Sequence, residues 1–191
     1  MNDVIELLKT VDLPYSVRFY GVSDEMFDEL VTPDMKAELI NGVPVVHSPT
    51  SLEHDDIGGF VRFLQRGYAD AKRIGKVYGP DGLVVHATGK RFAPDTFFVE
   101  LSRVPVPRTK EFHGQPDAAI EILSPSNRDG DLLDKRPAYQ EAGVGEIWFV
   151  DPENREVLID RLQPDGMYTT ETITSGRNMS NVIAGFWIDA D

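Results

Sequence analysis

The chain has 191 residues, 41% hydrophobic and 27% charged, proportions that suit a single soluble domain, residues 1–191, with a sizeable core. A formal charge of −13 counts against a generic nucleic-acid binder, and the absence of cysteine excludes disulfides and thiolate metal sites and fits a reducing cytoplasm. With no apolar run of about 18 residues, no membrane span is expected, and "MNDVIELLKTVDLP" does not read as a signal peptide.

In chain order, Val4, Leu7, Leu8 and Val11 have helical spacing and predict a short packing helix. Ser23 is a candidate N-cap for a second helix, with Met26, Phe27 and Leu30 as its apolar stripe. In "KAELINGVPVVHSP", Asn41-Gly42 separates two extended apolar runs, a strong hairpin signal, and Pro44 suggests an edge position or a bulge. The stretch from Thr50 to Gly75 predicts the major helix. Thr50 and Glu53 form a possible capping box, Ile57, Phe60, Val61, Leu64, Tyr68 and Ala71 an apolar stripe, and Gly75 the stop. Gly58-Gly59 weakens that helix by roughly 1 kcal/mol per glycine, unless another backbone comes close there.

Strands are expected in "KVYGPDGLVVHAT" and "RFAPDTFFVE", followed by a Pro- and Arg-rich loop from Ser102 to Pro116. "DAAIEI" reads as a buried strand and "DKRPAYQEAGV" as a helix ending near Gly143. A second hairpin joins "EIWFVD" to "EVLIDRL", and "YTTETIT" and "VIAGFWI" are further extended segments. The order predicts a mixed α/β sheet, not a regular βαβ repeat, and no linker divides it.

Glu121 stands in the middle of an apolar strand, where an ionised carboxylate costs several kcal/mol unless compensated. Asp95, just ahead of the apolar strand Thr96 to Val99, is its expected neighbour. Two acids on adjoining strands repel, and a divalent cation between them removes that cost and suits oxygen ligands, Mg²⁺ or Mn²⁺. Lys135 is the expected positive partner, because Leu132, Lys135, Tyr139 and Ala142 share one helical face. Pro137 places the start of regular helix no earlier than about Asp134, so Lys135 would lie in the first turn. Taken singly, Glu121 also fits an edge strand, Asp95 a turn, and Lys135 a snorkelling surface lysine.

The blocks "AELINGVPVVHSP", "PD", "AIEILSPSN" and "DKRPAYQEAGVGEIWFVDP", in that order, resemble the Uma-type restriction-endonuclease family of the PD-(D/E)XK nuclease superfamily. The resemblance runs from about Ser23 to Leu162 and extends toward "AGFWI". It implies a restriction-endonuclease-like core, with a central mixed β-sheet flanked by helices and an N-terminal β-hairpin. It also implies metal-dependent cleavage of nucleic acid. Asp95 matches the family aspartate and Glu121 the following acid; both would bind metal, with the Ile122 carbonyl as third ligand. Leu123 stands where the superfamily's lysine is expected, and Lys135 matches the lysine that this family carries in the next helix. Glu38 matches a recurrent family glutamate that binds or orients the metal or its water, though an exposed hairpin glutamate is also open. His54 matches another recurrent position and would contact phosphate or orient Glu38, or merely pack. Ser124 and Ser126 fix the turn after the strand.

The expected activity is therefore a Mg²⁺-dependent endodeoxyribonuclease, with Mn²⁺ possible: the metal activates water and Lys135 stabilises developing charge. Its substrate is nucleic acid, DNA above RNA, and relatives of this fold often pair, so a homodimer is expected. Arg62, Arg66, Lys72, Arg73 and Lys76, with Arg103, Arg108 and Lys110, offer basic clusters on a surface that otherwise repels polyanions, or else are merely solvated. The competing expectation is a catalytically idle nuclease-fold module that binds a protein partner. A two-carboxylate glycosidase gains little support, since no aromatic run offers sugar stacking.

Overall fold

The computed structural model describes residues 10, 15–23, 26, 29, 37–48, 50–86, 89–109, 111–125 and 127–190. The first expected helix lies outside these residues, as do Phe27 and Leu30. Met26 and Glu29 are helical, and Ser23 Oγ accepts the Met26 N–H at 3.3 Å, as an N-cap does.

Two six-stranded sheets dominate the fold. The first contains β1 (Ser16–Arg18), β2 (Ala37–Ile40), β3 (Val43–His47), β5 (Leu83–Val85), β6 (Arg91–Phe92) and β8 (Glu111–His113), in the order β1-β3-β2-β6-β5-β8. Asn41 and Gly42, at φ 52° and 74°, make the two-residue turn that pairs Ile40 with Val43. β3 is an inner strand, so Pro44 is not on an edge: it sits just past the end of β1, and its carbonyl accepts the Phe19 N–H at 2.9 Å. The expected Pro- and Arg-rich loop contains β8, which pairs in parallel with β5. That pairing is non-local, and no pattern within the loop announces it.

The second sheet holds β4 (Gly75–Tyr78), β7 (Thr96–Glu100), β9 (Ala118–Ile122), β10 (Glu146–Asp151), β11 (Glu156–Leu162) and β12 (Tyr168–Ile173), in the order β12-β11-β10-β9-β7-β4. Only the β9–β10 pair is parallel, and all five β9 residues are buried. Alternation divides β9 between two apolar clusters. Ala118, Ile120 and Ile122 pack with Val61, Ala69 and Trp148; Ala119 packs with Phe97, Tyr139 and Phe149. Glu121 thus shares the Ala119 face. Among the described residues a further short pair, β13 (Arg177–Met179) and β14 (Trp187–Asp189), follows, so "VIAGFWI" is extended only at its end.

α1 (Leu52–Lys72) covers the first of these faces through His54, Gly58, Val61, Gln65 and Ala69. Its N-cap is Ser51, whose Oγ accepts the His54 N–H at 3.1 Å, not Thr50. Its C-cap is Arg73, left-handed at φ 55°, and Gly75 already belongs to β4. Gly75 serves packing instead: a Cβ there would stand 2.3 Å from the Val99 carbonyl oxygen. Gly58 faces β9, where a Cβ would make only an ordinary contact with the Ile122 side chain at 3.6 Å, and Gly59 faces open space, so no close backbone approach explains the pair.

The second helical run starts earlier than Pro137 suggests. α2 (Arg128–Gly130) leads into a π-helical turn (Asp131–Lys135) and then α3 (Arg136–Glu141), with Pro137 in the first turn of α3, where its missing N–H is harmless. The Arg136 N–H donates to the Asp131 carbonyl, five residues back, which defines the wider turn. Lys135 therefore lies inside a continuous helical run, without the open N–H groups of a helix start.

Candidate active site

Antiparallel pairing of β7 with β9 sets Thr96 opposite Ile120. The next position along puts Asp95 opposite Glu121, on one face of the sheet. Asp95 Oδ2 accepts the Ile122 N–H at 2.9 Å, so the aspartate is tied to the residue beside Glu121. Both acids are buried, at 4% and 1% exposure.

Lys135 comes from the helical run above that face. Its Nζ lies 3.3 Å from Glu121 Oε1, 3.1 Å from Glu38 Oε2 and 3.1 Å from Asp131 Oδ1, at 3% side-chain exposure. Glu38 arrives from β2 in the other sheet, where its second oxygen accepts the Ala93 N–H at 2.9 Å. The sequence-derived set Asp95, Glu121, Lys135 and Glu38 is thus brought together at the junction of the two sheets. His54 reaches the same region from α1, with Nε2 3.0 Å from Asp95 Oδ2. It does not orient Glu38; His47 does, its Nε2 standing 2.9 Å from Glu38 Oε2.

Three members were not singled out from the sequence. His47 lies two residues beyond Val45, the register partner of Glu38, so strand alternation places it on the same face. Asp131 precedes Lys135 by one helical turn, a spacing that marks an ion pair. Its Oδ2 is buried with no hydrogen-bond partner among the described residues. Tyr139 was visible only as part of the apolar stripe, yet its hydroxyl donates to Glu121 Oε1 at 2.5 Å.

The charges are unequal, and so are their consequences. Burial pushes Glu38 up, but the Lys135 charge, the hydrogen bond and charge of His47 and the Ala93 N–H outweigh it and hold its carboxyl at about 2. Burial dominates at Glu121 and drives it well above the usual range despite Lys135, with Asp95, Asp131 and Glu38 adding repulsion. Asp131 is raised for the same reasons. Burial works against the Lys135 charge, yet Asp131, Glu121 and Glu38 together hold its pKa well above the ordinary value. Tyr139 is likewise pushed well up, by burial and then by the Glu121 charge, so it stays a neutral donor.

A cavity of about 150 Å³ reaches Lys135 from the side of β1 and β3, lined also by Ser16, Arg18, Val45, His47 and Asn127. Arg18 is paired there with Asp134. Ser124 fixes the turn after β9, its N–H and its hydroxyl donating to Asn127 Oδ1 at 2.6 and 2.9 Å; Ser126 lies outside the described residues. Among the described residues no group of three or more His, Asp or Glu side chains is arranged to hold a metal ion. The available donor set is two carboxylates, Asp95 and Glu121, with the Ile122 carbonyl. Oxygen donors in that number fit magnesium, which keeps several waters. Three buried carboxylates around one ammonium group, with Asp95 buried on the same sheet face, also leave negative charge for a cation to offset.

Several of the basic residues are engaged locally. Lys76 and Arg66 stand 2.6 and 3.8 Å from Asp70, and Arg103 stands 2.7 Å from Asp117. Lys110 lies outside the described residues. Among the described residues no helix is long and apolar enough to cross a membrane.

Comparison with known proteins extends the geometry. A family model described as "Putative restriction endonuclease", Uma2, matches residues 24–191. The chain is similar to a crystal structure titled as a "putative nuclease belonging to DUF820" from Anabaena variabilis ATCC 29413. That match has a TM-score of 0.76 at 18% identity and covers 88% of this chain and 95% of the other. No curated protein matches.

Proposed function

The chain belongs to the Uma2 family, and from that premise we propose that it is a metal-dependent endonuclease that hydrolyses phosphodiester bonds of DNA. The observation that supports this most is the buried Lys135 ammonium group, within 3.3 Å of Glu38, Glu121 and Asp131, on the sheet face that carries Asp95. A merely structural core has no need of three acids around one base with a fourth beside them, since apolar residues of similar volume are often as stable.

Asp95, Glu121 and the Ile122 carbonyl are the groups that would hold the ion, Mg²⁺ or Mn²⁺. When bound, it supplies Lewis-acid activation of water and charge neutralisation at phosphate. The chain's own residues do the rest. Lys135 stays protonated, so it acts as a fixed positive charge beside the reacting phosphate, not as a base. Glu38, ionised and held by the Ala93 N–H and His47, keeps that ammonium group in place. Tyr139 fixes one Glu121 oxygen, and the Ile122 N–H fixes one of Asp95, so neither acid needs to reorganise as charge develops. Water oxygen bonds to phosphorus as the bond to the leaving sugar oxygen breaks; the water proton passes to solvent and the leaving oxygen takes one from solvent.

The test is plasmid cleavage with Mg²⁺ or Mn²⁺ by the wild-type chain and by Glu121→Gln. Nicking or linearisation by the wild type alone is expected. Equal cleavage by both samples would reveal a contaminant. Cleavage by neither, from folded protein, would overturn the proposal in favour of an idle nuclease-fold module that binds another protein.

A further inference from the structure

The outward face of α1 carries features that a single chain does not use. Phe60 and Phe63 are 60% and 71% exposed, and Leu52 on the same side is 89% exposed. Gly59 and Gly67 share this face, and a Cβ at either would meet nothing within 4 Å. Glycine weakens a helix relative to alanine, so neither residue relieves crowding or adds stability within one chain. Positions 59, 63 and 67 recur every fourth residue on one helical face. They form one aromatic knob with a hole one turn to either side.

That relief is self-complementary. A two-fold axis beside α1, level with the gap between Phe63 and Leu64, sets Phe60 of each copy over Gly67 of the other and brings the two Phe63 rings side by side at the centre. The end charges follow the same symmetry. Glu53, Asp55 and Asp56 stand near the start of α1, whereas Arg66, Lys72, Arg73 and the adjoining Lys76 surround its end. Asp70, the one acid there, is already held by Lys76 at 2.6 Å. In an antiparallel pair each acidic end meets a basic end, twice over. A chain of charge −13 repels its copies, and the exchange of acidic for basic ends along this helix offsets that repulsion locally. Its 21 residues span about 32 Å at a rise of about 1.5 Å each. That length matches the breadth of a standard interface patch of about 800 Å² per partner.

We propose that the outer face of α1 is the two-fold interface of a homodimer, with the two Phe63 rings at its centre and each Gly67 admitting the partner's Phe60 ring. A nucleic acid fits this face less well, since its start is acidic and its middle apolar.

Sedimentation velocity of the full chain between about 1 and 100 μM tests it. The wild type is expected to sediment as a dimer, and Phe63→Glu to weaken association by about 30-fold or more. Gly67→Ala should weaken it about tenfold while raising the thermal midpoint of the monomer, opposite movements that a purely structural role cannot produce. A charge exchange decides the case independently if Phe63→Glu fails to fold. One variant carries Glu53→Lys, Asp55→Lys and Asp56→Lys, the other Arg66→Glu, Arg73→Glu and Lys76→Glu. Each alone should be monomeric, and the two mixed should form a heterodimer. A monomeric wild type, a dimer indifferent to folded Phe63→Glu, or exchanged variants that fail to pair would overturn the proposal.

Discussion

Replacing Lys135 by methionine tests the central electrostatic arrangement. At an effective dielectric of about 20, a unit charge roughly 3.2 Å from another attracts it by about 5 kcal/mol, and Lys135 makes three such contacts. The net loss is smaller, because the lysine no longer has to be desolvated and a stranded carboxylate takes up a proton. Breaking a buried pair from one side costs about 3–5 kcal/mol. For a chain of this size each kcal/mol moves the midpoint by about 2–4 °C, so a fall of about 6–20 °C is expected at pH 7.5. The pH dependence gives a sharper reading. In the wild type Glu38 is held at about 2, below its usual 4.5, so its contribution is present above pH 4.5 and lost as the pH falls toward 2. Glu121 and Asp131 are raised, so theirs is present below their unfolded values and lost as the pH rises through the folded ones. Without the ammonium group, burial should raise Glu38 as well, and all three acids then favour acid. Circular dichroism melts at pH 7.5 and 5 should show Lys135→Met recovering midpoint on acidification. A variant as stable as wild type at pH 7.5, or one that gains nothing at pH 5, would refute the reasoning.

Glu121→Gln should separate activity from stability: cleavage is lost, while the melting free energy at neutral pH changes by less than about 1 kcal/mol, because a carboxylate disfavoured by burial has been removed. Gly75→Ala should cost about 1–3 kcal/mol or more in denaturant titration, since its methyl group would collide with the Val99 carbonyl and the Phe98 ring. DNA affinity should be weak and strongly salt-dependent, because Lys76, Arg66 and Arg103 already face acids of their own chain. Two or three phosphate contacts imply about a 10–40-fold loss between about 50 and 200 mM salt, and a flat filter-binding series would contradict this.

Much of the site could be read from residue order because its parts obey local periodicities. The Asn41-Gly42 turn delivers β2, apolar runs mark the strands that carry Asp95 and Glu121, and helical spacing turns Lys135 inward with Tyr139; that the two acids share a face follows from the β7–β9 register. What escaped depends on contacts distant in the chain. Two histidines stand near the acids, and only the fold assigns His47 to Glu38 and His54 to Asp95. Asp131 looks like any solvent-facing acid until packing buries it beside Lys135. Alternation likewise marks strands without naming their partners, so it does not divide them between two sheets.

The π-helical turn at Asp131–Lys135 has a consequence for which changes of length this chain can bear. Upstream, the run is anchored by the Ser124–Asn127 turn; downstream, Ala138 and Tyr139 are locked into the core. Deleting one residue between those anchors would tighten the coil and rotate one end against the other by about 100°. Asp131 and Lys135 would then no longer face each other with both flanks seated. Substitutions within the segment should be survivable where single-residue deletions are not, although a deletion to an ordinary α-turn would improve the helix taken by itself.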